Sequence, residues 1–256
     1  MKNTIEERYS LVGKRVFVAG HTGMVGSALI RALKSIKCEI LTQDSNQLDL
    51  KDSMKVEKWF KENNPDTVFL AAAKVGGILA NSNYPVNFLY DNLAIQNSVI
   101  SASYKYDVKK FMFLGSSCIY PRNAEQPLKE SSLLTGELEP TNEAYAIAKI
   151  TGIKLCEYYR KQYGVDYISV MPTNLYGPGD NFHPQNSHVV AALISRFYEA
   201  KQLNKDKVVL WGSGKPLREF MHVDDLASGL IFLMQHYSED KHINIGTGKE
   251  ISIKDF

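Results

Sequence analysis

Tyr145 and Lys149 stand four residues apart in "AYAIAK", and Ser116 lies upstream in "FLGSSCIYP". On a helix, positions i and i+4 share a face, so this spacing makes the phenol and the ammonium neighbours. A phenol ionises near pH ~10 and is a poor base at neutrality. A nearby ammonium favours the phenolate and lowers that value. Ser116, where an apolar run ends, can hydrogen-bond a substrate oxygen. Such a trio can hand a proton to a carbonyl oxygen as hydride arrives at its carbon. Cys118 adds a thiol two residues beyond Ser116, and His188 adds an imidazole in a polar stretch. Their ordinary pKa values, ~8.5 and ~6.5, suit proton transfer in either direction. By residue type alone the same groups have plainer readings. Tyr-x-x-x-Lys occurs on surface helices, a strand-end cysteine is a small hydrophobe, and a loop histidine can be a cap.

Upstream, "GHTGMVG" places Gly20, Gly23 and Gly26 after a short apolar run and before a helical pattern. In a strand-to-helix turn the first glycine permits the tight bend. The second lets backbone approach a pyrophosphate, and the third lets helix pack on strand. Thr22, Met24 and Val25 lie within the turn, and Ala72 lies at a later strand end. Asp44 follows the second strand, where an acid suits a ribose hydroxyl. No arginine stands beside it for a 2′-phosphate; Arg15 and Arg31 are the nearest basic residues. Local residues therefore leave NAD and NADP both open. Asp49, next to Leu50, either meets an adenine amino group or flanks a helix as an ordinary acid. Lys74, Asn92 and Asn174 are expected to support substrate or water from strand ends or the facing helix.

The elements that must position these groups alternate. "RVFVAG" reads as a strand, with a helix from Met24 to Ser35 presenting Val25, Leu29 and Leu33 on one face. "EILTQD" follows as strand two, and Asp52 caps a helix that Pro65 closes. "TVFLAAA", "KKFMFLG" and "DYISVMP" are strands three to five, separated by a helix after Pro85 and another from Glu143 to Tyr163. This spacing predicts right-handed βαβ units and a doubly wound parallel sheet. After Pro172 the chain becomes polar and rich in Asn, Gly, Pro and His. A helix near 187–203, a strand "KVVLWG", a helix after "HVDD" and a strand "HINIG" are expected to form a smaller α/β lobe closing over the strand ends. The division is 1–172 for the dinucleotide domain and 173–256 for the substrate lobe, which is not fully contiguous.

Composition excludes several other classes. The 256 residues are 44% hydrophobic and 23% charged with net charge +2, which is ordinary for a globular chain and gives no reason to expect nucleic acid or membrane partners. Cys38, Cys118 and Cys156 show no paired spacing, so neither a disulfide framework nor a metal site is expected. The charged start "MKNTIEERYS" lacks an apolar signal region, and a reducing cytoplasm is the expected location.

The order of glycine turn, strand-end serine and Tyr-x-x-x-Lys helix resembles the extended short-chain dehydrogenase/reductases, a Rossmann-type fold, over nearly the whole chain. "GSSCIYP", "EPTNEAYAIAK", "VMPTNLYGPGDNFHPQNSHV" and "WGSGKPLREFMHVDDL" are more particular. They resemble the GDP-4-keto-6-deoxymannose 3,5-epimerase/4-reductases. The resemblance implies NADP(H), a GDP-sugar substrate, formation of GDP-L-fucose and a homodimer. It implies that Ser116, Tyr145 and Lys149 form the reductase trio, and that Cys118 and His188 are the epimerisation pair. It also implies cofactor contacts from Gly20 to Gly26, Lys149, Pro172 to Leu175 (with Asn174) and His188, and substrate contacts from Arg196, Trp211 and Arg218. Trp211 by type is equally a core residue, and Arg218 could instead pair with Asp224 or Asp225. Members of the family usually carry an arginine between the first two glycines and basic residues after strand two. This chain has Thr22 and "TQDSNQ" there. They also usually continue beyond the point where "ISIKDF" ends, so an incomplete substrate lobe is expected. Two other readings stay open: another nucleotide-sugar 4-epimerase, dehydratase or simple 4-reductase, and a non-catalytic dinucleotide sensor.

Overall fold

Apolar runs too short for helices form the strands of the large sheet. In the computed structural model, which describes residues 6–183, 187–210 and 212–256, β1 (Arg15–Ala19) leads through the glycine turn into α1 (Met24–Leu33). β2 (Glu39–Leu41), α2 (Ser53–Asn63), β3 (Thr67–Leu70), a short α3 (Ile78–Asn83) and α4 (Pro85–Lys105) follow. Then come β4 (Lys110–Leu114), α5 (Glu143–Tyr163) and β5 (Asp166–Pro172). Local chemistry sets several boundaries. Asp52 caps α2 by accepting from the Lys55 amide at 3.1 Å, Pro85 opens α4, and Gly164 ends α5 at φ 70°. Every residue of β3 and β4 is buried, as expected for strands covered on both faces.

The strand order is β2-β1-β3-β4-β5-β8, where β8 is Ile243–Ile245, and all neighbours are parallel. Alternate side chains face two cores. Phe17, Val68, Phe111 and Phe113 pack with Trp59 and Phe60 of α2, Val99 of α4 and Ile153 of α5. Val16, Val18, Phe69 and Met112 pack with Leu29 and Leu33 of α1 and with Leu226 and Leu230 of α7 (Val223–His236). Among the described residues no helix is long and apolar enough to cross a membrane.

Two expectations for the C-terminal part are corrected. "HINIG" belongs to the large sheet, where Val170 lies opposite Ile243. The apolar face of α7 is required to cover that sheet beside α1, and it carries the next strand with it. "KVVLWG" forms no strand over its described residues 207–210, and Val209 is 76% exposed. The small sheet instead uses β6 (Asn174–Tyr176), β7 (Leu217–His222) and β9 (Glu250–Ser252) in the order β6-β7-β9, parallel then antiparallel. Between β6 and β7 runs α6 (Val189–Gln202).

At the N-terminal edge of the large sheet, Lys110 is completely buried. Its Nζ donates to Asp166 Oδ2 at 2.9 Å and to the Tyr237 carbonyl at 2.7 Å. Arg160 and Ser238 donate to the other carboxylate oxygen at 2.6 and 2.9 Å. Burial pushes the Lys110 pKa down, and the Asp166 carboxylate opposes that shift. Asp166→Ala strands the Lys110 ammonium in the core and is expected to cost about 3 kcal/mol in urea unfolding, whereas Lys110→Met costs less than half as much because the Asp166 carboxylate it leaves is partly exposed and keeps Arg160 and Ser238. Equal losses from the two variants would contradict this account.

Candidate active site

The glycine turn builds one end of a cavity of about 760 Å³ at the C-terminal ends of the large-sheet strands. Gly20 adopts φ +89°, and a Cβ there would lie 2.7 Å from the Ala72 Cα. A Cβ on Gly26 would lie 2.1 Å from the Gly20 carbonyl oxygen, so any side chain would push α1 off the turn. Gly23 caps α1 without a side-chain hydrogen bond, and Met24, Val25 and Gly26 line the cavity behind it. Amides at an uncapped helix N-terminus favour an anion. Thr22, Asp49, Leu50, Ala72, Pro172, Asn174 and Leu175 also line the cavity. Thr173 Oγ1 and Asn174 Nδ2 both donate to the Glu219 carbonyl, at 2.9 and 3.0 Å, which fastens this segment to the small sheet.

The other end carries the titratable groups. Ser116, Tyr145, Lys149 and His188 all line the cavity. They come from the end of β4, from one face of α5 and from the N-terminus of α6. Lys149 is buried, donates to the Leu114 carbonyl at 2.7 Å, and lies 5.7 Å from the centre of the Tyr145 ring. Tyr145 also meets Phe88 edge-on, with ring centres 6.2 Å apart. His188 is exposed and caps α6 without a side-chain hydrogen bond.

The expected lowering of the Tyr145 pKa is not found. Burial raises it, and the neighbouring Cys118 raises it further. Lys149 donates a hydrogen bond to a backbone carbonyl, and burial lowers its own pKa to about 8, with Cys118 opposing. The phenol therefore holds its proton in the free protein. This has a direct pH consequence. Lys149 carries charge below about pH 8 and loses it above, so support for a developing phenolate fades as pH rises. The kcat/KM for reduction is expected to fall with a single proton lost near pH 8. A profile flat to pH ~10 would contradict this, because kcat/KM reports ionisations of the free enzyme.

Cys118 does not line the cavity. It sits in a 3₁₀ turn, Ser117–Ile119, half-buried, and belongs to neither core cluster. Burial raises its pKa; a hydrogen bond with the Ser116 side chain and the charge of Lys149 oppose that rise. The thiol is thus coupled to the trio from behind Ser116. Ile119 and Tyr120 anchor the turn in the core. The Tyr120 hydroxyl donates to Asn244 Oδ1 at 2.5 Å and lies 3.0 Å from His242 Nε2.

The arginines expected at the substrate do not reach the cavity lining. Arg196, half-buried on α6, points Nη1 toward the Val209 carbonyl at 3.5 Å. Arg218, exposed on β7, donates to the Leu217 carbonyl at 2.7 Å. Asp224, one of its possible partners, is held by Arg31. Trp211 lies outside the described residues. Asn92 acts indirectly, holding the Lys74 backbone through its amide at 2.9 Å and its carbonyl at 3.0 Å. Lys74 itself lines the cavity and lies 3.6 Å from Asp91. Sequence reasoning passed over His21, Gln43, Lys51, Asp91 and Phe220, all of which line the cavity. For Gln43 a signal was available, since it follows β2 where the ribose-binding acid was sought.

Comparison with known proteins fits this geometry. Residues 16–246 match the NAD dependent epimerase/dehydratase family. A GDP-L-fucose synthase from Sinorhizobium fredii is 56% identical over 245 residues, covering 96% of this chain and 78% of that protein. The solved GDP-mannoheptose C4 reductase from Campylobacter jejuni with NADP bound is 40% identical with TM-score 0.87, covering 94% of this chain and 81% of that one. The GDP-L-fucose synthetase from Naegleria fowleri bound to NADP is 33% identical with TM-score 0.87, covering 95% and 80%. With a glycine turn, a Ser–Tyr–Lys trio and a family match across nearly all its length, this chain belongs to the NAD dependent epimerase/dehydratase family.

Proposed function

We propose that this chain converts GDP-4-keto-6-deoxymannose to GDP-L-fucose by inversion at C3 and C5 followed by reduction at C4. The observation that carries the reading is the convergence of Ser116, Tyr145, Lys149 and His188 on the cavity begun by the glycine turn, with Cys118 coupled to Tyr145 and Lys149. High identity to a GDP-L-fucose synthase supports it. The solved relatives hold NADP, and NADP(H) is the cofactor carried over. The residues suit two parts of such a group: the uncapped start of α1 suits its pyrophosphate, and Lys149 and Tyr145 line the far end, where the nicotinamide would lie.

The substrate ketone at C4 acidifies the hydrogens at C3 and C5. Losing either gives an enolate, whose oxygen Ser116 and Tyr145 stabilise by hydrogen bonding. Inversion needs removal of a proton from one face and its return on the other. Cys118 and His188 form the acid/base pair that serves both faces. A bound reduced nicotinamide supplies hydride to C4. Tyr145 gives its proton to the C4 oxygen, and Lys149 holds the resulting phenolate. Reduction removes the ketone and with it the acidity of C3 and C5, so epimerisation comes first. In this reading Asn174, which lines the cavity, orients the sugar, and Arg196, Trp211 and Arg218 belong to the GDP side.

Incubation with GDP-4-keto-6-deoxymannose and NADPH tests it, with the sugar product read by NMR. Inversion at both carbons is the expected result. Cofactor oxidation without inversion would instead make the chain a plain 4-reductase, a reading favoured by its likeness to the Campylobacter jejuni enzyme. Binding without turnover would make it a sensor. We propose further that the chain is a cytoplasmic homodimer joined along α4 and α5, where Val86, Tyr90 and Tyr158 are exposed. Sedimentation of a monomer at micromolar concentration would count against the dimer.

A further inference from the structure

We propose that the ribose corner of the cavity confers no preference for a 2′-phosphate, so that this chain binds NADH at least as tightly as NADPH. The inference rests on the dinucleotide reading above. β1 and β2 lie side by side with Phe17 opposite Leu41. The residues just past their C-terminal ends therefore share one corner, which His21, Thr22, Gln43 and Ser45 line. A pyrophosphate at the start of α1 brings the adenosine ribose to this corner. There an acid past the second strand accepts from a 2′-hydroxyl, or an arginine meets a 2′-phosphate.

This corner lacks the arginine, and the acid past β2 touches it through His21 without lining the cavity. Asp44 sits past β2 with Oδ1 3.3 Å from His21 Nε2. Thr22 is uncharged. Gln43 is neutral and engaged at both ends, accepting from Trp59 Nε1 at 3.2 Å and donating to Gln47 Oε1 at 2.5 Å. Of the four residues lining the corner, His21 alone can carry positive charge, and Asp44 offsets it. Basic side chains of the adjoining elements have acidic partners of their own: Arg15 with Glu39 at 3.1 Å, Arg31 with Asp224, and Lys51 with Asp49 and Asp91 at 3.9 and 3.8 Å. A phosphate dianion would enter beside a carboxylate with no cation of its own, and like charges brought together oppose binding. A 2′-hydroxyl is uncharged and meets no such opposition.

Nicotinamide fluorescence titrations without sugar test this, since they read binding and not turnover. NADH is expected to bind as tightly as NADPH or tighter. Thr22→Arg is expected to tighten NADPH about tenfold, the value of a new contact to a charged group, while NADH stays within about twofold. Asp44→Asn, which removes the opposing charge, is expected to tighten NADPH a few-fold and to leave NADH within about twofold. A wild-type preference for NADPH beyond about threefold, or no gain from Thr22→Arg, overturns the proposal and leaves the dinucleotide reading standing. Failure to bind either nucleotide overturns both.

Discussion

Tyr145→Phe slows reduction at C4 about a thousandfold, within the range lost when a positioned general acid is removed. The hydroxyl is the only atom deleted. The ring still meets Phe88, and Lys149 keeps its bond to the Leu114 carbonyl, so dinucleotide affinity is expected to change by less than about twofold. The size of the loss follows from the environment of the phenol. Burial raises its pKa, so the proton is present when needed but leaves only if the phenolate is stabilised at that moment. Lys149, with a pKa of about 8, is mostly charged at neutrality and supplies that stabilisation. Single-turnover oxidation of bound NADPH reads the step directly. A variant that reduces at full rate would remove Tyr145 from the chemistry and leave water as the donor.

Cys118→Ser abolishes deuterium wash-in at C3 and C5, by about a thousandfold for loss of an acid/base group, and spares dinucleotide binding. The replacement is nearly isosteric, so the 3₁₀ turn and its core anchors Ile119 and Tyr120 remain. What changes is acidity. A hydroxyl gives up its proton far less readily than a thiol. Burial already raises the Cys118 pKa, and Ser116 and Lys149 restrain the rise; a serine at 118 gets the same help but starts from too high a value. Exchange at the wild-type rate would exclude the sulfur from proton transfer. The two variants are separable, because one is read in hydrogen exchange and the other in hydride transfer.

The parts of this site that were legible in the sequence are those whose partners are close in the chain. Gly20, Gly23 and Gly26 occupy one turn, Tyr145 and Lys149 one helical face, and Ser116 the end of an apolar run, so local spacing was enough. What remained hidden depends on contacts between distant segments. The raised pKa of Tyr145 follows from burial among elements far apart in sequence. β6, β8 and β9 have three residues each, too short to show a period. β8 was grouped with the smaller lobe, although it pairs with β5, because the demand of α7 for an apolar surface is not visible in its neighbours. Arg196 and Arg218 were assigned by resemblance alone, and their described contacts are with backbone carbonyls away from the cavity lining.

The position of α7 and β8 also bears on how the chain is born. The floor beneath the glycine turn is roofed by α7, and β5 gains its outer neighbour only with β8. A ribosome must therefore deliver the polypeptide through Ile245 before the nucleotide-binding layer can close on both sides. Until then Val16, Val18 and Phe69 lack the cover that Leu226 and Leu230 of α7 supply.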